Sequence, residues 1–375
     1  MILWYSIIAG ITWIGVIIYL LISRKQIKRL KNQPIITEQP SLVIIIAVRN
    51  EEEDLEKALQ SVCNINYQNH RIIVVNDRST DRTAEILAGF SHPKLCIITI
   101  NALPDGWLGK NNALYQGYKN STEEWMLFTD ADVEFHPDAI SRAFGYVERQ
   151  DLDHLSILPD VRSRSVLLNS VLGTFRMMLM MFMRPWDAKK RHRSGSIGIG
   201  AFNLVKRTAY ERAGTHVKIK LRPDDDLKLG QNIKRAGLRQ DALSGDGYIC
   251  LEWYKNLKQF RNGLLKNSFA VANYNIFKAM ADVMATLLVV ALPIPVMLIF
   301  GDMYIRLMAC FVLAAQCLLM TLVKPNKWWY ALMTPYAGFL MAYIVAKSAL
   351  VTFKQGGIYW RDTFDSLDML RGKNP

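Results

Sequence analysis

The sequence predicts an α/β domain built on a largely parallel sheet and held to a membrane by apolar helices at both ends. Two observations carry this. Short β-branched runs alternate with helical stretches from residue 42 onward, and long apolar stretches occupy the two ends of the 375-residue chain. A third observation, acidic clusters placed just after strand-like runs, bears on function.

At the N-terminus, residues 2–22 carry no charge and are long enough to cross a hydrocarbon core of about 30 Å. A secretory leader places positive charge before a shorter apolar region. Here Arg24, Lys25, Lys28, Arg29 and Lys31 follow the run, so a retained anchor is expected, with the chain beyond it on the cytoplasmic side. Towards the other end, residues 280–300, 304–323 and 328–353 read as two or three further membrane segments, the count depending on whether Pro293, Pro295 or Pro335 breaks a helix. The expected organisation is an anchor at 1–23, a cytoplasmic catalytic domain at 24–275, membrane segments at 276–353 and a tail at 354–375. The expected location is the inner cell membrane, with several passes.

Composition narrows the partners. A net charge of +13 suits a surface that faces anionic lipid and handles phosphorylated ligands. It would equally suit nucleic acid, but no nucleic-acid module accompanies it, and the basic residues lie beside apolar stretches instead of alternating with exposed aromatics. No nucleic-acid partner is expected. Cys63, Cys96, Cys250, Cys310 and Cys317 show no CxxC spacing and read as buried thiols, not as a zinc site or disulfide frame.

Within the central segment, runs at 42–47, 71–75 and 95–100 are separated by helical stretches, a βαβαβ rhythm. Runs as apolar as Leu-Val-Ile-Ile-Ile-Ala belong to parallel strands covered on both faces. Ligands of such sheets bind beyond the carboxyl ends of the strands. There stand Arg49-Asn50-Glu51-Glu52, then Asn76-Asp77 with Asp81 close behind, and, after the run at 125–128, Asp130-Ala131-Asp132. Each cluster alone is explained by helix capping or by acids in a first helical turn. Together they would repel one another unless a cation or a sugar nucleotide lay among them.

Asp130 and Asp132 share one side of an extended segment, a placement that suits Mg²⁺ or Mn²⁺ held jointly with a pyrophosphate. Such an ion neutralises charge on a departing diphosphate. Asp224-Asp225-Asp226 precedes the amphipathic stretch 227–236. A cap accounts for one of these aspartates, not three. Crowding raises carboxyl pKa values, which fits Asp226 for taking a proton from an acceptor hydroxyl.

In the order of these motifs, residues 42–267 resemble glycosyltransferase family 2 and the related ceramide glucosyltransferases. The family's Pro-x-Arg-Asn-Glu-Glu resembles Arg49-Asn50-Glu51-Glu52 after Ala47-Val48, its Asn-Asp-x-Ser-x-Asp-x-Thr matches residues 76–83, and its Asp-x-Asp resembles Asp130-Ala131-Asp132. Gly106-Trp107-Leu108-Gly109-Lys110-Asn111 resembles a stretch of a bacterial branch of carotenoid- and hopanoid-associated glycosyltransferases. The resemblance implies a GT-A fold. It also implies uracil binding by Asp77, a nucleotide pocket shaped by Arg49 and Glu51, nucleotide contact by Lys110, and Asp130 on the ribose or metal side. By the same resemblance Asp132 holds the divalent metal, and Asp225-Asp226 is the base motif with Asp226 as catalytic base. The implied reaction is an inverting transfer from a uridine-diphosphate sugar to a membrane lipid. The Gln-x-x-Arg-Trp signature of processive synthases is not reproduced at 259–263, which counts against the alternative of a polysaccharide synthase. Retained acids count against a non-catalytic scaffold. In Gly263-Leu264-Leu265-Lys266-Asn267, leucine replaces the branch's tryptophan.

Three further segments have both a plain and a functional reading. The methionine-rich stretch 167–186, followed by Lys189-Lys190-Arg191-His192-Arg193, reads either as core packing or as an interfacial helix that admits a lipid acceptor. Gly198 and Gly200 lie either in a strand connection or in an acceptor-side wall. Tyr359-Trp360-Arg361-Asp362 resembles the tail of the bacterial branch and equally suits an interfacial anchor. The histidines show no metal-ligand spacing and are assigned no role.

Overall fold

The computed structural model describes residues 1–190, 195–324, 326–360 and 363–371. Arg191, His192 and Arg193 of the basic run, Arg361 and Asp362 of the tail motif, and Lys373 lie outside the described residues, as do the side chains of Asn267, Tyr359 and Trp360. Contacts divide the chain into a sheet unit, Ile27–Arg162 with Met183–Trp253, and a helical unit, Met1–Gln26 with Ser163–Phe182 and Tyr254–Pro375. The sheet unit thus ends at Trp253 and not near residue 275. The next helix, Leu257–Val271, buries Phe269 and Ala270 in a cluster with Tyr274, Ala349 and Ile358 of the helical unit. Ser348 fastens it there, accepting a hydrogen bond from the Phe269 N–H and donating one to the Leu265 carbonyl.

Eleven strands of the sheet unit follow in chain order: β1 (Lys28–Arg29), β2 (Leu42–Val48), β3 (His70–Asp77), β4 (Leu95–Ile100), β5 (Trp125–Thr129), β6 (Val133–Phe135), β7 (His154–Leu158), β8 (Asp160–Val161), β9 (Asn203–Lys206), β10 (Gln240–Ser244) and β11 (Ile249–Leu251). The main sheet has the order β1-β10-β7-β9-β5-β2-β3-β4. Strand β9 runs antiparallel to both β5 and β7, and the other neighbours are parallel. A smaller sheet has the order β6-β11-β8.

The apolar runs are continuous because both faces are covered, as alternation of side chains along a strand requires. Ile44, Ile46, Ile72, Val74 and Leu127 join one core with Leu55 and Leu59 of the helix Leu55–Cys63 and Phe144 of the helix Ala139–Gln150. Their neighbours Val43, Ile45, Ile73, Val75, Met126 and Phe128 join a second core with Leu114, Tyr210, Leu229 and Ile233. The chemistry described below lies at the edge of this second core.

In the helical unit, four helices among the described residues are long and apolar enough to cross a membrane: Ile2–Arg24, Val166–Asp187, Met303–Val323 and Trp328–Gln355. The stretch 167–186, read from the sequence as core packing or an interfacial helix, therefore meets the length and composition of a span. A fifth is the pair Ile276–Ala291 and Pro293–Phe300, bent by 52°. Pro293 has no N–H with which to bond the Val289 carbonyl four residues back. Trp13 Nε1 donates to that carbonyl at 2.9 Å, and the Tyr5 hydroxyl donates to the Leu288 carbonyl at 2.8 Å. Pro335, by contrast, sits in the first turn of the helix Thr334–Gln355, where a missing N–H costs nothing, and breaks no helix. All five cysteines are free, and Cys310 is exposed on the helix Met303–Val323 instead of buried.

Candidate active site

The site is built where the carboxyl ends of β2, β3 and β5 meet the N-termini of two helices, Gly109–Lys119 and Asp225–Arg235. The loops after β2 and β3 lock together through side chains that cap backbone N–H groups. Ser79 Oγ accepts from Asn50 N–H, Thr83 Oγ1 from Glu51 N–H, Asp81 Oδ2 from Glu52 N–H, and Asn50 Oδ1 from Thr80 N–H. Asn50 and Arg78 take left-handed backbone conformations at φ 56° and 53°. This interlocking fixes the edge on which Arg49, Glu51 and Asp77 stand.

Asp77 is 2% exposed and its carboxylate lies between two guanidinium groups, Arg78 at 2.8 and 3.0 Å and Arg49 at 3.6 Å. Behind it stands Gly109, where a Cβ would lie 2.1 Å from Asp77 Oδ2. Only glycine lets the helix start this close to the carboxylate. The next residue, Lys110, is the hub of the site. Its ammonium lies 2.7 Å from Asp130 and 3.5 Å from Asp225. Acidic clusters from two distant parts of the sequence therefore converge on one cation. Burial works against that charge, but Asp130, Asp225 and Asp226 outweigh it and hold the Lys110 pKa above its ordinary value.

Of the three consecutive aspartates, Asp224 is engaged by Arg222 through two 2.8 Å hydrogen bonds and anchors the helix start. Asp225 is 5% exposed. Asp226 accepts from the N–H of Gly200 and from that of Leu227, each at 2.8 Å. Burial raises both carboxyls, and their mutual repulsion with Asp130 adds to it, while Lys110 opposes the rise. Asn111 fastens the chain leading into this triplet, its amide reaching the carbonyls of Ile219, Lys220 and Arg222 at 2.9, 3.2 and 2.9 Å. Gly198 and Gly200 form a wall. A Cβ at Gly198 would lie 1.8 Å from the Asp226 carbonyl oxygen, and one at Gly200 would lie 2.4 Å from Asp130 Oδ2.

Asp132 is pushed up to about 7, first by burial and then by the negative charges of Asp130, Glu51 and Asp54. Asp130, Glu51 and Asp54 thus lie close enough to disfavour the ionisation of Asp132, and hard oxygen groups so placed would suit a divalent cation. Among the described residues, no three His, Cys, Asp or Glu side chains are arranged to hold a metal by themselves. A cation here would need further oxygen ligands from outside the protein.

All the predicted site residues, Arg49, Glu51, Asp77, Lys110, Asp130, Asp132, Asp225 and Asp226, thus lie in the sheet unit, and Lys110 joins three of them directly or by charge. Sequence reasoning missed Asn111, Asn203 and His216. A small cavity is lined by Lys110, Asp130, Asn203, His216, Asp225 and Asp226, over the apolar side chains of Leu114, Phe128 and Leu229. His216, to which no role was assigned, is one of its walls. Nothing local in the sequence marked either Asn203, which opens the short strand β9, or His216.

Residues 43–214 match the family model for glycosyl transferase family 2. Among curated proteins, the chain is 26% identical over 220 residues to 4,4'-diaponeurosporenoate glycosyltransferase of Staphylococcus haemolyticus, covering 57% of each chain. It is 29% identical over 220 residues to poly-beta-1,6-N-acetyl-D-glucosamine synthase of Staphylococcus epidermidis, covering 56% of this chain and 51% of that one. The match thus spans little more than half the length of these relatives. Among solved structures, mannosyltransferase PcManGT from Pyrobaculum calidifontis, in complex with GDP-Man and Mn²⁺, aligns with a TM-score of 0.56 at 16% identity over 95% of this chain and 99% of that one. That likeness shows the shared fold.

Proposed function

We propose that the protein, whose residues 43–214 match the family model for glycosyl transferase family 2, is an inverting, metal-dependent transferase of the GT-A fold. It moves a sugar from a nucleotide-diphosphate donor, a UDP-sugar, to a membrane lipid. The observation that carries the proposal is the convergence of Asp130, Asp225 and Asp226 on Lys110. Lys110 and Asp130, on the donor side in this reading, then line one small cavity together with Asp226, its proton acceptor.

Arg49, Glu51 and Asp77 form the nucleotide end of the site, with Asp77 held rigid between two guanidinium groups. Lys110 carries the charge that meets the nucleotide phosphates. Asp130 and Asp132 are the residues that would hold Mg²⁺ or Mn²⁺, which supplies charge neutralisation to the leaving diphosphate. Asp226 takes the proton of the acceptor hydroxyl. Burial and the charge of Asp130 raise its proton affinity, and the Gly200 N–H holds the carboxylate in place. The attacking oxygen displaces the diphosphate from the anomeric carbon in one step, with inversion.

A lipid acceptor is supported by the apolar helices at both ends of the chain and by the carotenoid-derived acceptor named for the Staphylococcus haemolyticus relative. In this proposal the helical unit lies in the inner cell membrane in several passes and the sheet unit faces the cytoplasm. A polymer product is the second reading, favoured by the poly-N-acetylglucosamine synthase relative at comparable identity. The test is transfer from radiolabelled UDP- and GDP-sugars to bacterial lipid extract by detergent-purified protein, with and without Mn²⁺ or Mg²⁺. Metal-dependent label in the organic phase, reduced at least about 10²-fold in Asp226→Asn with donor affinity retained, is expected. Label confined to water-soluble polymer establishes the second reading instead, and normal turnover by Asp226→Asn removes the base assignment.

A further inference from the structure

The cavity floor carries two polar side chains that the roles above leave unused, Asn203 and His216, at 2% and 1% exposure. Their hydrogen bonds determine what each presents. The Tyr210 hydroxyl accepts from the backbone N–H of His216 at 3.0 Å and lies 2.6 Å from His216 Nδ1. Its own proton is buried with no other acceptor among the described residues, so it is donated to Nδ1. Nε2 must then carry the proton of a neutral ring, and it has no partner among the described residues. Burial, with the charge of Lys110 behind it, keeps the ring neutral, its pKa lowered to about 3.

Asn203 is oriented in the same way from the opposite side. Its Oδ1 meets His154 Nε2 and lies 3.4 Å from the Ser156 hydroxyl, two donors on the neighbouring strand β7. With the oxygen so occupied, the NH₂ group remains for the cavity that Asn203 lines. Asn203 pairs in register with Phe128 and Ser156, which places it on the face of the sheet that carries the second core, as His216 is placed by its edge contact on Phe128.

We propose that Asn203 and His216 form a neutral subsite of N–H donors that recognises one hydroxyl of the sugar carried by the nucleotide donor. The proposal rests on the transferase reading above. The chemistry of the walls selects a hydroxyl. The phosphates are matched by the charge of Lys110 and by a cation at Asp130 and Asp132, which two neutral N–H groups do not replace, and a metal cation would meet two N–H groups that offer it no lone pair. A hydroxyl accepts from the floor and donates to a carboxylate at once, and so satisfies both. Its absence leaves buried polar groups unpaired, which is the arrangement that gives an enzyme strong discrimination against a deoxy analogue.

The test measures kcat/KM for donor turnover by the full-length detergent-purified protein. UDP-glucose, UDP-N-acetylglucosamine and GDP-mannose are assayed first, then the monodeoxy analogues of whichever is used. For the wild type, one deoxy position is expected to cost roughly 10²-fold or more. In His216→Phe the parent donor falls by a similar factor while that deoxy analogue does not, so their ratio approaches one. His216→Gln, which keeps an N–H, recovers part of the ratio. Asn203→Leu, read in the same way with thermal melts to confirm folding, stands in if His216→Phe does not fold. A merely structural role lowers both donors equally. An unchanged ratio in the folded variants, or no discrimination by the wild type, overturns the subsite and leaves the transferase intact. No turnover of any sugar nucleotide by the wild type overturns both.

Discussion

Replacing Lys110 with methionine removes the one charge that three buried or half-buried carboxylates share. At an effective dielectric constant of about 20, the 2.7 Å pair with Asp130 is worth roughly 6 kcal/mol and the 3.5 Å pair with Asp225 roughly 5 kcal/mol before any costs. The Lys110 and Asp130 side chains are about one-third exposed, at 33% and 37%, so solvent screening removes much of this, and the desolvation of the ammonium removes more. A net loss of about 1–3 kcal/mol remains. In a unit of this size that lowers Tm by about 2–4 °C per kcal/mol. The pH dependence identifies the cause. Burial already raises Asp225 and Asp226, and Lys110 is what opposes the rise. Without it, these carboxyls keep protons in the folded state at pH values where the unfolded chain has lost them, so stability falls as pH rises. The deficit of Lys110→Met should therefore be smallest near pH 5 and largest near pH 8. Thermal melts of both proteins in EDTA at pH 5, 6.5 and 8 measure it. A deficit that does not change with pH, or that is widest at pH 5, refutes the hub assignment.

Other changes reach different parts of the molecule. Gly198→Ala places a methyl 1.8 Å from the Asp226 carbonyl oxygen, so the backbone must move and carry the base with it; a loss of at least about 2 kcal/mol and of ten-fold or more in turnover is expected from melts and donor kinetics. Trp13→Phe leaves the Val289 carbonyl, already deprived of a partner by Pro293, unsatisfied among apolar helices, and should cost about 1–2 kcal/mol by unfolding in mild detergent, while Trp4→Phe on the exposed face of the same helix should cost little. Burial holds His154 neutral with a pKa of about 4, as it does His216 at about 3. Each has a folded pKa below its unfolded value near 6.5, so their contribution is complete above that pH and is lost as pH falls towards 3–4, about 2 kcal/mol per histidine by pH 5. His154→Gln should flatten that acid limb in urea titrations, and an unchanged limb would show that other groups set it.

Much of the sheet was legible because its strands advertise themselves. Residues 42–47 and 72–75 are continuous apolar runs, as strands buried on both faces must be, and their polar tips mark the ligand edge. Strands β7, β9 and β10 were not read from the sequence. They carry His154, Ser156, Asn203, Gln240 and Asp241 among their apolar residues, so no clean period stands out. The helix Leu257–Val271, which the sequence reading placed with the catalytic segment, groups by its contacts with the helical unit for a related reason. Its lysines, arginine and asparagines suit a soluble domain, whereas the face bearing Phe260, Leu264 and Phe269 is the one that packs.

The same missing strand accounts for the part of the site that the motifs alone could not assemble. Asp130 and Asp226 are far apart in sequence, and no local pattern relates them. Because β9 runs antiparallel to β5, with Phe128 opposite Asn203, the segment that enters β9 must lie beside the segment that leaves β5. That register brings Gly200 to Asp130, whose N–H donates to the Gly200 carbonyl at 3.1 Å. Gly200 in turn donates its own N–H to Asp226. A single glycine thus spans the two acidic clusters through its backbone, and its lack of a side chain is what lets the Asp130 carboxylate approach. The antiparallel strand in a parallel sheet is therefore what places Asp226 beside Asp130, and it also carries Asn203 into the cavity that both of them line.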